Sequence, residues 1–160
     1  MCLQKITREF DKPKKKQFYK VMLRVRRPGK PNLYYFQHRR HEAPMLKGET
    51  RKASSALISS TFGGDYLSGF HSYASLSNAK RKLSGYKNKI YRYYRYWARS
   101  PREYGKNHLA YEVAVLCEGE VHTVGNEHLR GKSVRVYVSS TLKILKEVPL
   151  NSLFKEIIKP

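Results

Sequence analysis

The chain has 160 residues, the length of a single domain, and a formal net charge of +21. A small domain does not need a charge this large to stay soluble. The charge therefore predicts an acidic partner that offsets the electrostatic repulsion within the folded protein. Apolar residues make up 40% of the sequence, which is enough for one core, and two cysteines are too few for a disulfide framework.

The positive charge is concentrated in two blocks. Residues 1–52 contain sixteen basic and four acidic residues, a net charge of +12. Residues 80–106 contain ten basic residues and one acid, a net charge of +9, whereas residues 53–79 carry −1 and residues 107–160 carry +1. Two separate blocks indicate binding surfaces, although two solvated faces without a partner would give the same pattern.

The chain begins with a charged stretch that lacks an apolar run. We predict that residues 1–16 form a mobile or loosely docked basic arm, which ends in Lys14, Lys15 and Lys16 and contacts phosphates without choosing a sequence. Because no segment has the character of a signal peptide or the length of a membrane span, we expect a protein of the reducing cytoplasm.

A hairpin of two strands is predicted after the arm. Residues 18–26 alternate apolar and polar side chains with the period of a half-buried strand, and the polar face includes Arg24 and Arg26. Turn-forming residues at 28–32 separate this strand from a second one at residues 33–37.

Helices are predicted at up to four places. Residues 52–61 and 75–83 each have a short apolar stripe, and Ser75 supplies an N-cap for the second. Residues 150–158 have the pattern of an amphipathic terminal helix. Residues 86–99 fit a helix or a strand, and we favour the helix because their charges separate by a period of 3.6.

The last third of the chain predicts strands. Residues 109–117 and 134–138 alternate clearly, and residues 141–146 either continue the second strand or pair as the next one. Between residues 119 and 131, Gly125 with Asn126 and Gly131 indicate turns, and residues 120–124 form a possible short strand. Together these elements predict one α+β domain over residues 17–160, a mostly antiparallel sheet with two to four short helices.

The basic segment of residues 80–106 carries the most specific functional signal, because six tyrosines and Trp97 are interleaved with its ten cations. Cations attract phosphates, and the rings between them stack on bases or pack guanidinium groups. Alternatively, Tyr93, Tyr94 and Trp97 are core and the arginines are merely solvated. With the N-terminal residues, the predicted nucleic-acid or polyanion contacts are Lys80, Arg81, Lys82, Lys87, Lys89, Arg92, Arg95, Tyr96, Arg99, Arg102, Lys14, Lys15, Lys16, Arg24 and Arg26.

The sequence favours a binding protein over an enzyme. His38 and His41 have ligand-like spacing, but no cysteine or carboxylate cluster completes a site, so we expect neither a metal nor a cofactor. No phosphate-binding loop follows Gly63 and Gly64. His71 lies between two aromatic residues and is the candidate for a ligand pocket, the alternative being a local hydrogen bond that fixes its loop.

Four segments together resemble small accessory proteins of bacteriophages. They are the run from Gly69 to Tyr73, which opens a helix, and residues 111–115, 119–121 and 134–138. The family has no settled activity, so the resemblance implies only a role against a host nuclease or defence system in the host cell cytoplasm. The segment rich in tyrosine and arginine lies apart from this pattern, which suggests an insertion with its own specificity.

Three functions fit these observations. The first is binding of RNA or DNA through a cationic aromatic surface, mostly by contacts to the backbone. The second is inhibition of a host defence or nuclease protein complex by direct docking. The third is binding or modification of a small phosphorylated nucleotide, with His71 and arginines around a pocket. The first two require an exposed basic surface, and we expect both basic blocks to meet on one face. The natural target, the oligomeric state and the strand order are not determined by the sequence.

Overall fold

The computed structural model describes residues 3–27, 29–36, 43–84 and 110–148. In chain order, the elements of these ranges are β1 (Lys5–Arg27), β2 (Lys30–Phe36), β3 (Thr50–Lys52), β4 (Leu57–Ser59), β5 (Asp65–Leu67), β6 (Phe70–Tyr73), α1 (Leu76–Ser84), β7 (Ala110–Leu129), β8 (Lys132–Ser139) and β9 (Thr141–Glu147).

The two longest strands, β1 and β7, pair with each other and organise the sheet. Their antiparallel register runs from Lys5 opposite Asn126 to Val25 opposite Ala110. Strands β2 and β6 lie on the outer side of β1, β8 and β9 lie on the outer side of β7, and β3 pairs with β9. Because β6 also pairs with β8, the strands β1, β6, β8 and β7 form a closed circuit. Strands β4 and β5 form a separate two-stranded sheet.

Both faces of the main sheet are covered by apolar side chains. The face that we call the Phe18 face contains Phe18 and Met22 of β1, packed with side chains of β7 and β9 such as Cys117 and Ile144. The opposite face, called here the Val21 face, contains Val21 with the valines of β8, and helix α1 packs on it through Ala79 and Leu83. Burial on both faces explains why residues 21–23 of β1 are all buried instead of alternating.

The predicted fold class, α+β with two to four helices, is wrong. Within the described ranges the protein is mostly antiparallel sheet, with 69% of residues in strands and one helix. The helix predicted at residues 52–61 is absent, because residues 50–52 pair with β9 and residues 57–59 pair with β5. A short apolar run fits either a helix or a strand, and here pairing with distant strands decides the outcome.

The helix predicted at residues 75–83 is confirmed as α1. Its N-terminus is capped as expected, since the Ser75 hydroxyl accepts a hydrogen bond from the Asn78 amide at 3.3 Å. The Ala79 amide donates to the Ser75 carbonyl at 3.2 Å and closes the first turn. The predicted helices at residues 86–99 and 150–158 lie outside the described residues.

The N-terminal residues do not form a separate arm from residue 5 onward. Lys5 to Lys16 are the first half of β1 and pair with β7, with Lys15 opposite Glu120 and Lys16 opposite Gly119. A strand this polar is not recognisable by its own pattern, because the apolar surface that stabilises it belongs to its neighbours. The hairpin predicted to follow is confirmed as β1 and β2, with Met22 opposite Phe36.

Gly125 and Gly131 were expected to mark turns, yet Gly125 lies inside β7, as Gly119 does. A β-carbon on Gly119 would stand 2.0 Å from the Thr141 carbonyl oxygen, and one on Gly125 would stand 2.6 Å from the Lys5 carbonyl oxygen. Glycine in a strand interior often marks such a close approach of another backbone. Gly131, at a φ of 72°, is the glycine that makes the turn into β8.

The close approach at Gly119 predicts a steric effect on stability. Gly119→Ala should lower the free energy of unfolding by at least about 2 kcal/mol, because the Thr141 carbonyl must move. Gly131→Ala has open space around its β-carbon and should lose only about 1 kcal/mol, through the left-handed backbone conformation. Urea denaturation of both variants tests this ranking, and equal losses would contradict it.

Candidate nucleic-acid interface

A bulge in β1 is the structural origin of the candidate site. Glu9 lies opposite Thr123 and Lys14 lies opposite Val121, so residues 10–13 of β1 face a single residue of β7. Pro13 fits this position because a proline has no amide proton to donate to the ladder. The bulge shifts the register, and it places Phe10 beside the cations that precede and follow it.

Three cations surround the ring of Phe10. The Arg8 Cζ lies 4.8 Å from the ring centroid, the Lys14 Nζ 5.1 Å and the Lys16 Nζ 5.8 Å. These distances are in the range of cation–π attraction. Phe10 is partly buried and packs against the core of the Phe18 face, so its ring is held by apolar contacts while part of it stays accessible.

A second ring extends this group across the sheet. Tyr137 of β8 packs against the same core, and the Lys16 Nζ lies 5.4 Å from its ring centroid. Lys16 is therefore close to two rings at once. We call this group the cation–aromatic strip, and it consists of Arg8, Phe10, Lys14, Lys16 and Tyr137.

The charges of the strip are available to a partner. Arg8 and Lys14 are exposed, and Lys16 is half-buried. Within the described part of the chain, no carboxylate lies within ion-pair distance of these three side chains. The surrounding residues 8–16 hold five basic and two acidic side chains, so the local potential is positive.

A further ring with two cations lies on the same face, but its cations are engaged within the protein. The Lys20 Nζ is 5.5 Å and the Arg51 Cζ 5.8 Å from the centroid of Phe36, which is buried. Lys20 donates to the His71 carbonyl at 2.7 Å, and Arg51 donates to the Pro44 carbonyl at 3.0 Å. We therefore assign this group to the packing of the sheet.

Of the predicted N-terminal contacts, the structure brings Lys14 and Lys16 together in the strip. Side chains alternate along a strand, so Lys15 lies on the opposite face, 3.4 Å from the Glu118 carboxylate. Arg26 is exposed at the far end of β1, away from the strip.

Arg24 is part of an internal ion pair. Its guanidinium donates to Glu147 at the end of β9, and the Tyr34 hydroxyl donates to the same carboxylate at 3.2 Å. Burial, together with the negative charge of Glu147, raises the pKa of Tyr34. The group joins β1, β2 and β9, so Arg24 has a structural role.

The cations of α1 lie on the other side of the sheet from the strip. Lys80, Arg81 and Lys82 belong to the helix that covers the Val21 face, whereas Phe10 and Tyr137 pack on the Phe18 face. The described parts of the two basic blocks therefore do not meet on one face. The other predicted contacts lie outside the described residues, namely Lys87, Lys89, Arg92, Arg95, Tyr96, Arg99 and Arg102.

Lys82 is committed to an internal ion pair. Its Nζ lies 3.7 Å from the Glu127 carboxylate, and each side chain is only 13% exposed. Burial raises the pKa of Glu127, and the positive charge of Lys82 opposes this rise. Lys80 is exposed on the same helix.

His71 takes part in a small hydrogen-bond network next to Tyr66. Its Nε2 lies 3.4 Å from the Tyr66 hydroxyl, and that hydroxyl accepts a hydrogen bond from the Leu3 amide at 2.9 Å. Tyr66 is almost fully buried against the Val21 face. These contacts fit the local, structural role for His71 better than the ligand pocket.

Three residues of the strip were not among the contacts predicted from the sequence, namely Arg8, Phe10 and Tyr137. Phe10 is the first aromatic residue of the chain and has cations at positions 8, 12 and 14, which is a weak local signal. Tyr137 was interpreted only as part of a strand. Its proximity to Lys16 depends on the pairing of β7 with both β1 and β8, which no local pattern shows.

Other chemistries find less support in the described ranges. No group of three or more metal-ligating side chains occurs among the described residues. Burial raises the pKa of Cys117 to about 12, so this thiol is protonated at neutral pH and is not a nucleophile. No helix within the described residues is long and apolar enough to cross a membrane.

Comparisons with known proteins found no family model, no curated protein and no solved structure that matches this chain. The resemblance to bacteriophage accessory proteins therefore stays a prediction.

The buried ion pair predicts that Lys82 stabilises the fold. Lys82→Met keeps the aliphatic stem but leaves Glu127 without its cation, so the free energy of unfolding at pH 7 should fall by roughly 1–3 kcal/mol. Because the pKa of Glu127 is raised in the folded protein, the free energy of unfolding falls as pH rises from the ordinary carboxyl value of 4.5 through the raised pKa. Below pH 4.5 this loss of stability is absent. The deficit of the variant should therefore shrink in acid.

The matched control for this effect is Lys80→Met, which removes an exposed charge from the same helix. Its free energy of unfolding should stay within about 0.5 kcal/mol of the wild type. Chemical denaturation between pH 4 and pH 8 measures both variants. A similar loss for both, or a deficit for Lys82→Met that is unchanged in acid, would contradict the assignment.

Proposed function

We propose that the protein binds nucleic acid through the cation–aromatic strip. The observation that carries this proposal is that Arg8, Lys14 and Lys16 surround the ring of Phe10 and that Lys16 also lies beside Tyr137. Both rings are partly accessible, and the three cations have no carboxylate partner in the described part of the chain. Cations interleaved with accessible rings are the combination that nucleic-acid grooves use, since the cations contact phosphates and the rings contact bases.

The electrostatic part of this binding follows from counterion release. Each phosphate that a lysine or arginine neutralises releases condensed counterions, so affinity falls steeply as salt increases. A net charge of +21 adds a long-range attraction that speeds the first encounter. Contacts of this kind position the nucleic-acid backbone without recognising its base sequence. We therefore expect the protein to bind RNA or DNA with low sequence specificity.

The strip supports this function better than it supports a nucleotide pocket. Its residues lie along an extended strand and its neighbour across the sheet, which suits a linear polyanion. His71, the residue on which the nucleotide pocket depended, belongs to a network with Tyr66 on the opposite face of the sheet.

The proposal predicts a specific loss on charge reversal. Lys14→Glu with Lys16→Glu should weaken binding of a labelled single strand of about 16 nucleotides and should reduce the slope of log affinity against log salt by about 1.4. Fluorescence anisotropy at several salt concentrations measures both quantities. A wild-type affinity that hardly changes with salt would refute the proposal.

A matched control changes the same number of charges elsewhere. Lys30→Glu with Lys132→Glu alters two exposed lysines near hairpin turns and should weaken binding less than the strip variant. Equal losses would show that total charge matters and the strip does not. The predicted contribution of the tyrosine- and arginine-rich segment is tested in parallel by Arg92→Glu with Arg95→Glu, which we expect to abolish partner binding while the fold stays intact.

A further inference from the structure

The Lys16 ammonium group is shared by the two rings of the strip. Its Nζ is 5.8 Å from the Phe10 centroid and 5.4 Å from the Tyr137 centroid. One cation is therefore within reach of two rings, one on β1 and one on β8. A dinucleotide step has the matching composition, because one phosphate links two sugars that each carry a base.

We propose that the strip selects single-stranded nucleic acid by holding one dinucleotide step. In this arrangement one base stacks on Phe10, the next base stacks on Tyr137, and the phosphate between them contacts the ammonium group of Lys16. The inference rests on the proposed function and adds to it the strandedness of the ligand and the role of the two rings.

The rings are the reason for preferring a single strand. In a duplex the faces of the bases are covered by their stacked neighbours, so a duplex would contact the cations of the strip but not its rings. Bases of a single strand can be splayed apart, and stacking on aromatic side chains tolerates any base because each base has a π-face. Two accessible rings beside a shared cation gain contacts only with an unpaired strand.

The cations that lie over Phe10 do not block this arrangement. Arg8 and Lys14 are exposed side chains with flexible stems, and their attraction to a ring at an exposed site is weaker than the stacking of a base. When a strand binds, they can turn to the phosphates on either side of the step while bases take their places. Phe10 itself is held by the core of the Phe18 face, so the platform is ordered before binding.

Three labelled probes of equal length separate the contribution of bases from that of phosphates. They are oligothymidylate, the same backbone with abasic sites in place of the bases, and a duplex. The wild-type protein should bind oligothymidylate most tightly at a fixed salt concentration. Phe10→Leu keeps the apolar packing but removes the aromatic face, so it should weaken oligothymidylate binding about five- to hundredfold and leave the other two probes within about twofold.

Two further variants show whether a loss of binding comes from the missing aromatic ring or from a loss of folding. Phe10→Trp restores an aromatic face and should restore binding, and Tyr137→Leu gives an independent loss if Phe10→Leu fails to fold. Phe62→Leu is the matched control, because Phe62 is 74% exposed on the turn between β4 and β5 and should have no effect. Thermal unfolding of each variant confirms that it is folded.

The outcomes distinguish this inference from the proposed function. If the ring variants leave oligothymidylate binding unchanged, or weaken all three probes equally, the dinucleotide arrangement is wrong. Nucleic-acid binding itself still stands in that case, provided that Lys14→Glu with Lys16→Glu weakens all three probes. If the wild type binds none of the probes in a salt-dependent manner, both proposals are wrong.

Discussion

The pairing of β1 with β7 is the constraint on which the rest of the structure depends. These two long strands exchange hydrogen bonds from Lys5 opposite Asn126 to Val25 opposite Ala110, and each offers its outer side to two further strands. Because the first half of β1 is mostly polar, it is held in the sheet by its pairing with β7 and not by its own apolar content. The same pairing requires glycine at position 125, where the Lys5 carbonyl of β1 comes too close for a β-carbon, and the start of β9 imposes the same requirement at position 119.

Pairing also explains which parts of the fold could be predicted. Helix α1 and the β1–β2 hairpin are local, and their signals, a serine cap and an alternating run before a turn, are contained within about ten residues. The prediction of a helix at residues 52–61 was wrong because strand pairing with β9 and β5 determines the conformation of this segment. Gly125 was interpreted as a turn residue because glycine gives the same local signal in a turn and at a close backbone approach.

The candidate site was predictable in its composition but not in its geometry. Lys14 and Lys16 were expected to bind phosphates, and the structure places them in the strip. Lys15, between them, was assigned to the same surface, yet strand alternation places it beside Glu118. The prediction of a mobile arm could not distinguish Lys15 from its neighbours, because only a regular element such as a strand has two faces. The second ring, Tyr137, is more than a hundred residues away and could be recognised only from the register.

The cations of this protein differ in the groups that contact them. This difference distinguishes cations with a structural role from the cations that we propose bind a ligand. Lys82 and Arg24 are held by carboxylates, which fix their positions but neutralise their charge toward any further partner. The cations of the strip are held by the faces of Phe10 and Tyr137, which attract a positive charge without cancelling it. A ring can therefore gather several like charges in one place and still leave them able to bind an anion. Such an arrangement stabilises the folded protein only weakly, and binding of the proposed polyanionic ligand would offset its cost in self-repulsion.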